Sequence, residues 1–485
     1  MQNTVLVFST SPALSGLVAR TLRCRQIHCT PVDPETGVET ALAMGPAGVV
    51  TAGDADGSQA LCALAQGFAQ AGVPTLALGG VAAALCACLG GEVGSSVSQR
   101  GAVTLSLGDH ALFTGISGGE RVLRDVRQLR LPETLLPLAT ATEQVIGFAH
   151  AAWPLYALQY PMERNDPDAA QMLENFALNL CGVSASWTEE AIIRRAVDAI
   201  RQAAPAGRVL CAVSGGVDSC VCARLASLAV GERLICLFVD TGLMRRDEPQ
   251  KVLDTLMRDL GLVVAHVDAH EAFLHALNGV TNENDKERIA SQLMTQMLVK
   301  QLDYDPEISC VVMGTNFNDA LFGFSPSAQI VLARSGGALS VCEPARDLFK
   351  DEIRRLATAL DLPASITGRR PFPSSGLALR IIGPVTQERL DLLRTADACF
   401  SEEVRQGGHE KRLWQYYATL TSNPEQPGTY VAVLRALQPA QGNAYAARLP
   451  FDVLERASER IRKEAPGITR VLYDLTPSAR YGELE

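Results

Sequence analysis

The chain begins with an apolar run, Thr4-Val5-Leu6-Val7-Phe8-Ser9, whose uniform character and short length predict a buried first strand. Further short apolar runs at 48–51, 73–78 and 155–160 alternate with helical stretches, the pattern of an α/β layer sandwich over roughly the first 180 residues. Residues 184–189 then offer capping side chains. Ser186 and Glu189 stand at capping-box spacing ahead of an amphipathic helix carrying Ile192, Ile193, Ala196 and Ile200. From Arg208 the pattern predicts strand (209–213), tight glycine turn, helix, strand (234–239), helix, strand (263–267), helix and strand (310–313), which is a parallel doubly wound sheet. The segment Arg370-Pro371-Phe372-Pro373-Ser374-Ser375-Gly376 punctuates the chain before a last part that mixes strands and helices. The expectation is an α/β protein of three domains, 1–183, 184–372 and 373–485, without internal repeats or low-complexity tracts.

Composition narrows the class. The chain has 485 residues, 47% of them hydrophobic and 20% charged, enough to bury sizeable cores without staples. It contains no apolar stretch of membrane-spanning length, and its first strand starts so early that no targeting peptide is expected. These features suggest a soluble, cytoplasmic protein. A net charge of −10 disfavours nucleic acid and anionic membranes as partners, although a local basic cleft could still hold a nucleotide. The 13 cysteines are scattered through apolar runs, as at Cys86, Cys211 and Cys236, and suit buried small side chains in a reducing compartment. Cys86/Cys88 and Cys220/Cys222 form only C-x-C pairs with no second pair or suitably spaced His, so no zinc site is expected. His266, His270 and His275 suit capping or solvated positions better than metal ligation.

The sharpest chemical signal follows the predicted strand 209–213. Ser214-Gly215-Gly216-Val217-Asp218-Ser219, with Cys220 next, leads directly into a helix. Two glycines let the backbone turn tightly, so consecutive N–H groups and the helix N-terminus converge on a phosphate, and the Ser214 and Ser219 hydroxyls can add donors. The loop lacks the lysine of a Walker motif, and Asp218 is placed to help hold the Mg²⁺ that accompanies the polyphosphate of ATP. That arrangement suits attack at the α-phosphorus, which transfers AMP and releases pyrophosphate.

Together with this loop, several segments resemble, in order, the PP-loop ATP pyrophosphatases and within them the GMP synthase (glutamine-hydrolysing) family. They are residues 238–245 (FVDTGLMR), Gly279-Val280-Thr281, Gly314-Thr315 with Asp319, residues 343–352 (EPARDLFKDE), Arg370-Pro371-Phe372-Pro373, Ala447-Arg448-Leu449-Pro450 and residues 469–476 (TRVLYDLT). The resemblance implies that a purine nucleotide, XMP or an analogue, is adenylated with ATP and Mg²⁺ and that ammonia then displaces AMP. It also implies a homodimer formed through the last domain. It places Asp240, Gly314, Thr315 and Asp319 near the ATP and makes Lys350 a catalytic candidate for phosphate neutralisation beside Asp218 and Ser219. Arg380, Gln438 and Glu483 become candidate contacts to the substrate nucleotide. For Lys350 and Arg380 a surface salt bridge is the alternative reading.

Departures from the family concern the first domain above all. Its glutaminase needs a Cys on a nucleophile elbow and a His-Glu pair. Here Gly79 stands at the Cys position, Pro161 at the His position, and Glu163 has nothing to orient; Cys86 and Cys88 lie in the following helix, where core packing is expected. The chain is therefore expected not to hydrolyse glutamine, with its nucleophile arriving free or from a separate protein. The loop at 420–428 is short, a C-terminal lysine is replaced in the neighbourhood of Ser478 and Arg480, and the family's lid motif is altered at 332–337. Two further readings stay open: sulfur in place of ammonia, with Cys220 as a helix-N-terminal thiol, and a silent nucleotide-binding regulator.

Overall fold

Fully apolar strand segments need cover on both faces, and the chain provides it with helices cut from the intervening sequence. The computed structural model describes residues 3–54, 58–96, 102–123, 126–162, 166–321, 339–369, 372, 375–440 and 443–476. The chain divides into two compact units, 1–192 and 193–485.

In the first unit, a nine-stranded sheet among the described residues joins a parallel half to an antiparallel half. The parallel half runs Cys29–Val32, Val5–Ser9, Gly48–Gly53, Thr75–Gly79, Leu155–Leu158. Strands Gln144–His150, Leu135–Ala141, Ala102–Leu107 and Gly119–Val122 extend it antiparallel. Helices Ser58–Gln70 and Gly80–Cys88 pack Leu61, Phe68, Val81 and Leu85 against Leu6, Phe8 and Ala77 in one core.

The helix expected after 184 begins at Glu189, and its cap is Thr188, whose hydroxyl accepts the Ala191 N–H at 3.3 Å. The expected Ser186 cap is thus corrected. Two overlapping cap candidates lie in Ser186-Trp187-Thr188, and the Ser186 hydroxyl instead accepts from Asn3 Nδ2 at 2.8 Å.

The second unit contains the doubly wound sheet, five parallel strands in the spatial order Val264–Asp268, Leu234–Asp240, Arg208–Ala212, Ile308–Val312, Ser340–Cys342. The order of strand addition reverses between the parallel neighbours Arg208–Ala212 and Ile308–Val312, and the loops leaving those two strands face a crevice of the kind that binds nucleotides in open α/β sheets. Beyond residue 375 a second sheet forms from Ile381–Ile382, Gln415–Ser422, Tyr430–Ala440 and Asn443–Ala446, with Ile468–Tyr473 parallel to the long strand. Helices Gln387–Gln406 and Phe451–Glu464 accompany it. One hydrophobic core runs through both sheets of this unit, from Leu210, Leu237 and Val311 to Leu377, Phe400, Tyr416 and Leu434. Among the described residues no helix is long and apolar enough to cross a membrane.

Candidate active site

Strand Arg208–Ala212 is buried through Val209, Leu210 and Cys211, and its neighbour Val213 still donates to Leu237 O at 2.9 Å before the chain leaves the sheet. The turn follows at once. Gly215 has φ +75°, and a Cβ there would lie 2.5 Å from Val252 and 2.7 Å from Arg369 Nη1, so both conformation and space require glycine. The loop is braced by its own hydroxyls. Ser214 N donates to Ser219 Oγ at 3.1 Å, Ser219 Oγ donates to Gly216 O at 3.0 Å, and Gly216 N donates to Ser214 Oγ at 3.3 Å. The Ser219 proton, expected on a phosphate, is directed into the loop in this state.

Helix Val217–Val230 starts from Gly216 with no side chain capping its N-terminus. Its first-turn N–H groups are therefore open to an anion. Asp218 lies in that turn, and its Oδ2 meets Lys350 Nζ at 2.5 Å, each side chain about four-fifths buried. This partly buried pair is not the surface salt bridge that was the alternative for Lys350. The other Asp218 oxygen, Oδ1, is buried without a hydrogen-bond partner. A carboxylate oxygen left in that condition fits a bound cation, and Mg²⁺ asks for only one or two protein carboxylates when phosphates supply the rest. Among the described residues no group of three His, Cys, Asp or Glu could hold a metal ion; the unpartnered Oδ1 makes Asp218 the candidate ligand.

Across the crevice, Gly314 leaves strand Ile308–Val312 against the loop. A Cβ at Gly314 would lie 3.0 Å from both the N and the Cα of Ser219. Thr315 Oγ1 donates to Glu343 Oε1 at 2.5 Å. Asp319 accepts the Asn316 N–H at 3.1 Å while Asn316 Oδ1 caps Asn318 and Asp319, so Asp319 secures the start of helix Phe317–Leu321. Asp240, at the end of its strand, accepts from Gly242 N at 3.0 Å and lies 2.8 Å from His270 Nε2. These two residues, with Thr241, Arg245, Arg246 and Arg394, line a cleft of about 350 Å³.

Cys220 is completely buried, and burial pushes its thiol up to about 12. Its side chain faces the core, which removes the helix-N-terminal thiolate on which the sulfur reading leaned.

The substrate candidates are dispersed. Arg380 is 2% exposed, pairs with Asp397 at 3.4 Å and lies over the Tyr417 ring at 4.4 Å, a buried arrangement in place of a surface bridge. Gln438 is half-buried on the long strand, opposite Tyr445. Glu483, Ser478, Arg480 and the altered segment 332–337 lie outside the described residues, as does Glu163.

In the first unit, Gly79 closes strand Thr75–Gly79 and caps helix Gly80–Cys88 with φ +69° and ψ −136°, the strained strand-to-helix turn of a nucleophile elbow without a side chain. A Cβ there would approach Gly53 O to 2.9 Å. Pro161 borders a cleft of about 330 Å³ with Tyr160 and the Arg121–Asp168 ion pair. Cys86 is buried, with its thiol pushed up to about 11 by burial, whereas Cys88 is exposed.

Sequence reasoning missed Arg369 and Glu248. Arg369 Nη1 donates to Ser214 O at 3.0 Å, and its Nε and Nη2 donate to Glu248 Oε1 at 3.1 and 2.7 Å. The available signal was adjacency, since Arg369 immediately precedes the Arg370-Pro371-Phe372-Pro373 segment.

A doubly wound sheet whose switch point carries a Lys-free glycine loop, an uncapped helix and an acidic first turn defines a PP-loop ATP pyrophosphatase, an ATP-dependent ligase that forms AMP and pyrophosphate. Comparison with known proteins agrees. Residues 190–392 match the NAD synthase family model and residues 402–480 the GMP synthase C terminal domain. A GMP synthase [glutamine-hydrolyzing] of Symbiobacterium thermophilum is 35% identical, the alignment covering 95% of each chain. Those of Brucella suis and Caldanaerobacter subterraneus are 33% and 30% identical, covering 98% of this chain and 97% of theirs. The chain belongs to the GMP synthase family.

Proposed function

We propose that the chain adenylates a purine nucleotide, XMP or a close analogue, and lets ammonia displace AMP, without producing that ammonia from glutamine itself. The observation that carries the ligase half is the braced loop at the switch point, with Asp218 Oδ1 unpartnered and Lys350 beside it. The N–H groups of residues 217–219 would take the polyphosphate, and Lys350 would offset its charge once phosphate competes for the ammonium. Asp218 would hold Mg²⁺ through Oδ1, and the ion, when bound, spreads the charge that develops on departing pyrophosphate. The acceptor oxygen attacks the α-phosphorus as the α–β bridge breaks, which turns that oxygen into part of an AMP leaving group. Ammonia then forms the new C–N bond and AMP departs with the electron pair.

Gly79 supports the second half. The relatives' names include glutamine hydrolysis, whereas this chain has no sulfur at the elbow and Pro161 in place of a base. We assign residues 184–372 to the ATP-binding domain and 373–485 to a substrate and homodimer domain, for which Tyr445, Phe451 and Leu475, each at least half exposed, offer apolar surface. The test is pyrophosphate release across purine nucleotides with ammonium, sulfide or glutamine. Release with XMP and ammonium but not with glutamine supports the proposal, and turnover with glutamine alone overturns its second half.

A further inference from the structure

Outside the loop, the second unit holds a chain of five buried charged residues with alternating sign. Arg369, Glu248, Arg245, Asp397 and Arg380 follow one another, with side chains 14, 12, 14, 4 and 2% exposed. At one end Arg369 holds both the Ser214 carbonyl and Glu248. Glu248 Oε2 accepts the Arg245 N–H at 3.0 Å, and its Oε1 lies 3.5 Å from Arg245 Nη1. Arg245 Nε lies 3.6 Å from Asp397 Oδ2, and Asp397 Oδ1 takes the Ala418 N–H at 3.0 Å and Arg380 at 3.4 Å. Phe372 packs between the two arginines, its ring 4.3 Å from the Arg245 guanidinium and 5.1 Å from that of Arg380. Burial alone would raise Glu248, but Arg369 and Arg245 together hold its carboxyl below the usual range.

From this geometry we infer that Arg369 is a positioning residue for the phosphate-binding loop, held in place by the buried chain that runs through Glu248, Arg245 and Asp397 to Arg380. The inference rests on the loop being the ATP site proposed above. Three features make the arrangement specific. Arg369 contacts the first carbonyl of the loop, the point from which Gly215 turns, so a shift of the guanidinium moves the first peptide of the cradle. The fork geometry lets one residue hold a carbonyl and a carboxylate at once, which a lysine ammonium does not reproduce. Neutralising a member removes one of the opposite charges that hold its buried neighbours, so a change at Asp397 propagates through Arg245, Glu248 and Arg369 toward Ser214. Arg380 is one of the three candidate nucleotide contacts; with an acceptor bound there the chain would join the acceptor side to the ATP side, and the coupling of the two would be reciprocal.

The test measures Mg·ATP affinity of the full chain by calorimetry without any acceptor nucleotide, together with thermal unfolding and, where turnover occurs, KM and kcat. Arg369→Lys is expected to weaken ATP binding about tenfold, and Asp397→Asn, which touches no loop atom, about threefold. A purely structural pair would lower the unfolding midpoint and the active fraction while leaving the affinity of folded molecules unchanged. Should Arg369→Lys fail to fold, Glu248→Gln weakens the hold on Arg369 by removing the carboxylate charge while keeping the side-chain shape. ATP affinity within twofold of wild type for the folded loop-end variant overturns the positioning role, and the same result for Asp397→Asn overturns the reach of the chain. If the wild type itself does not bind Mg·ATP, it is the proposed ATP site that fails, so the two failures are distinguishable.

Discussion

At the scale of single residues, the site depends on atoms that are missing as much as on those present. Gly314 lets one loop lie against the backbone of another, and adding a methyl group at 3.0 Å from Ser219 N and Cα forces the two apart. Gly314→Ala should cost about 1–3 kcal/mol, as overpacking does, and should weaken ATP binding with it, measurable by chemical denaturation and calorimetry. Cys220 makes the opposite point. Its thiol is buried and pushed up to about 12, so native protein treated with iodoacetamide near neutral pH should be modified at the exposed Cys24 and Cys88 and not at Cys220. Mass spectrometry of the labelled peptides checks this, and rapid native labelling of Cys220 would revive a role for sulfur. The cradle was legible in the sequence because glycines, hydroxyls and carboxylate lie within six consecutive residues. The orientation of Cys220 was not, since a first-turn residue of a helix faces solvent or core according to what packs on it.

Among the elements, the strand-to-helix turns repay comparison. Turn 214–216 and turn 79–80 both carry glycine at positive φ, but one leads to an uncapped helix beside Asp218 and the other to an apolar helix with no nucleophile at the elbow itself. Gly79→Cys should therefore not restore glutamine hydrolysis. Its Cβ meets Gly53 O at 2.9 Å, and Pro161 supplies no base, so glutamate release should stay at the level of the wild type. Appearance of glutaminase activity in the single variant would contradict this reading of the first unit. Strand and helix types followed from periodicity, and the predicted strand 209–213 differs from the observed Arg208–Ala212 by one residue at each end. The cap at Thr188 was ambiguous, because Ser186 and Thr188 compete for it and the choice depends on Asn3, 183 residues away from Ser186.

Considered as a whole, the second unit is stitched together by groups far apart in sequence. Lys286 sits in the polar stretch Glu283-Asn284-Asp285-Lys286-Glu287-Arg288, which resembles a solvated helix face, yet it is fully buried. Its ammonium donates to the carbonyls of Ala378, Ile381 and Gly383 at 3.2, 2.6 and 2.8 Å, joining helix Glu283–Tyr304 to the segment that enters the last sheet. Lys286→Met keeps the volume but strands three acceptors, and should destabilise this unit by about 3 kcal/mol in a single calorimetric transition, because one core serves both sheets. Such contacts escape a linear reading, as does the Arg369 bond to Ser214, which spans 155 residues. The class of enzyme was legible because its loop is local, whereas the supports of that loop are not. The most direct test of the account is pyrophosphate release from Mg·ATP with XMP, comparing ammonium with glutamine as nitrogen source and wild type with Asp218→Ala. Release and GMP formation are expected with ammonium, none with glutamine alone, and a loss of about a hundredfold or more in the variant. Full turnover with glutamine, or undiminished release by Asp218→Ala, would contradict it.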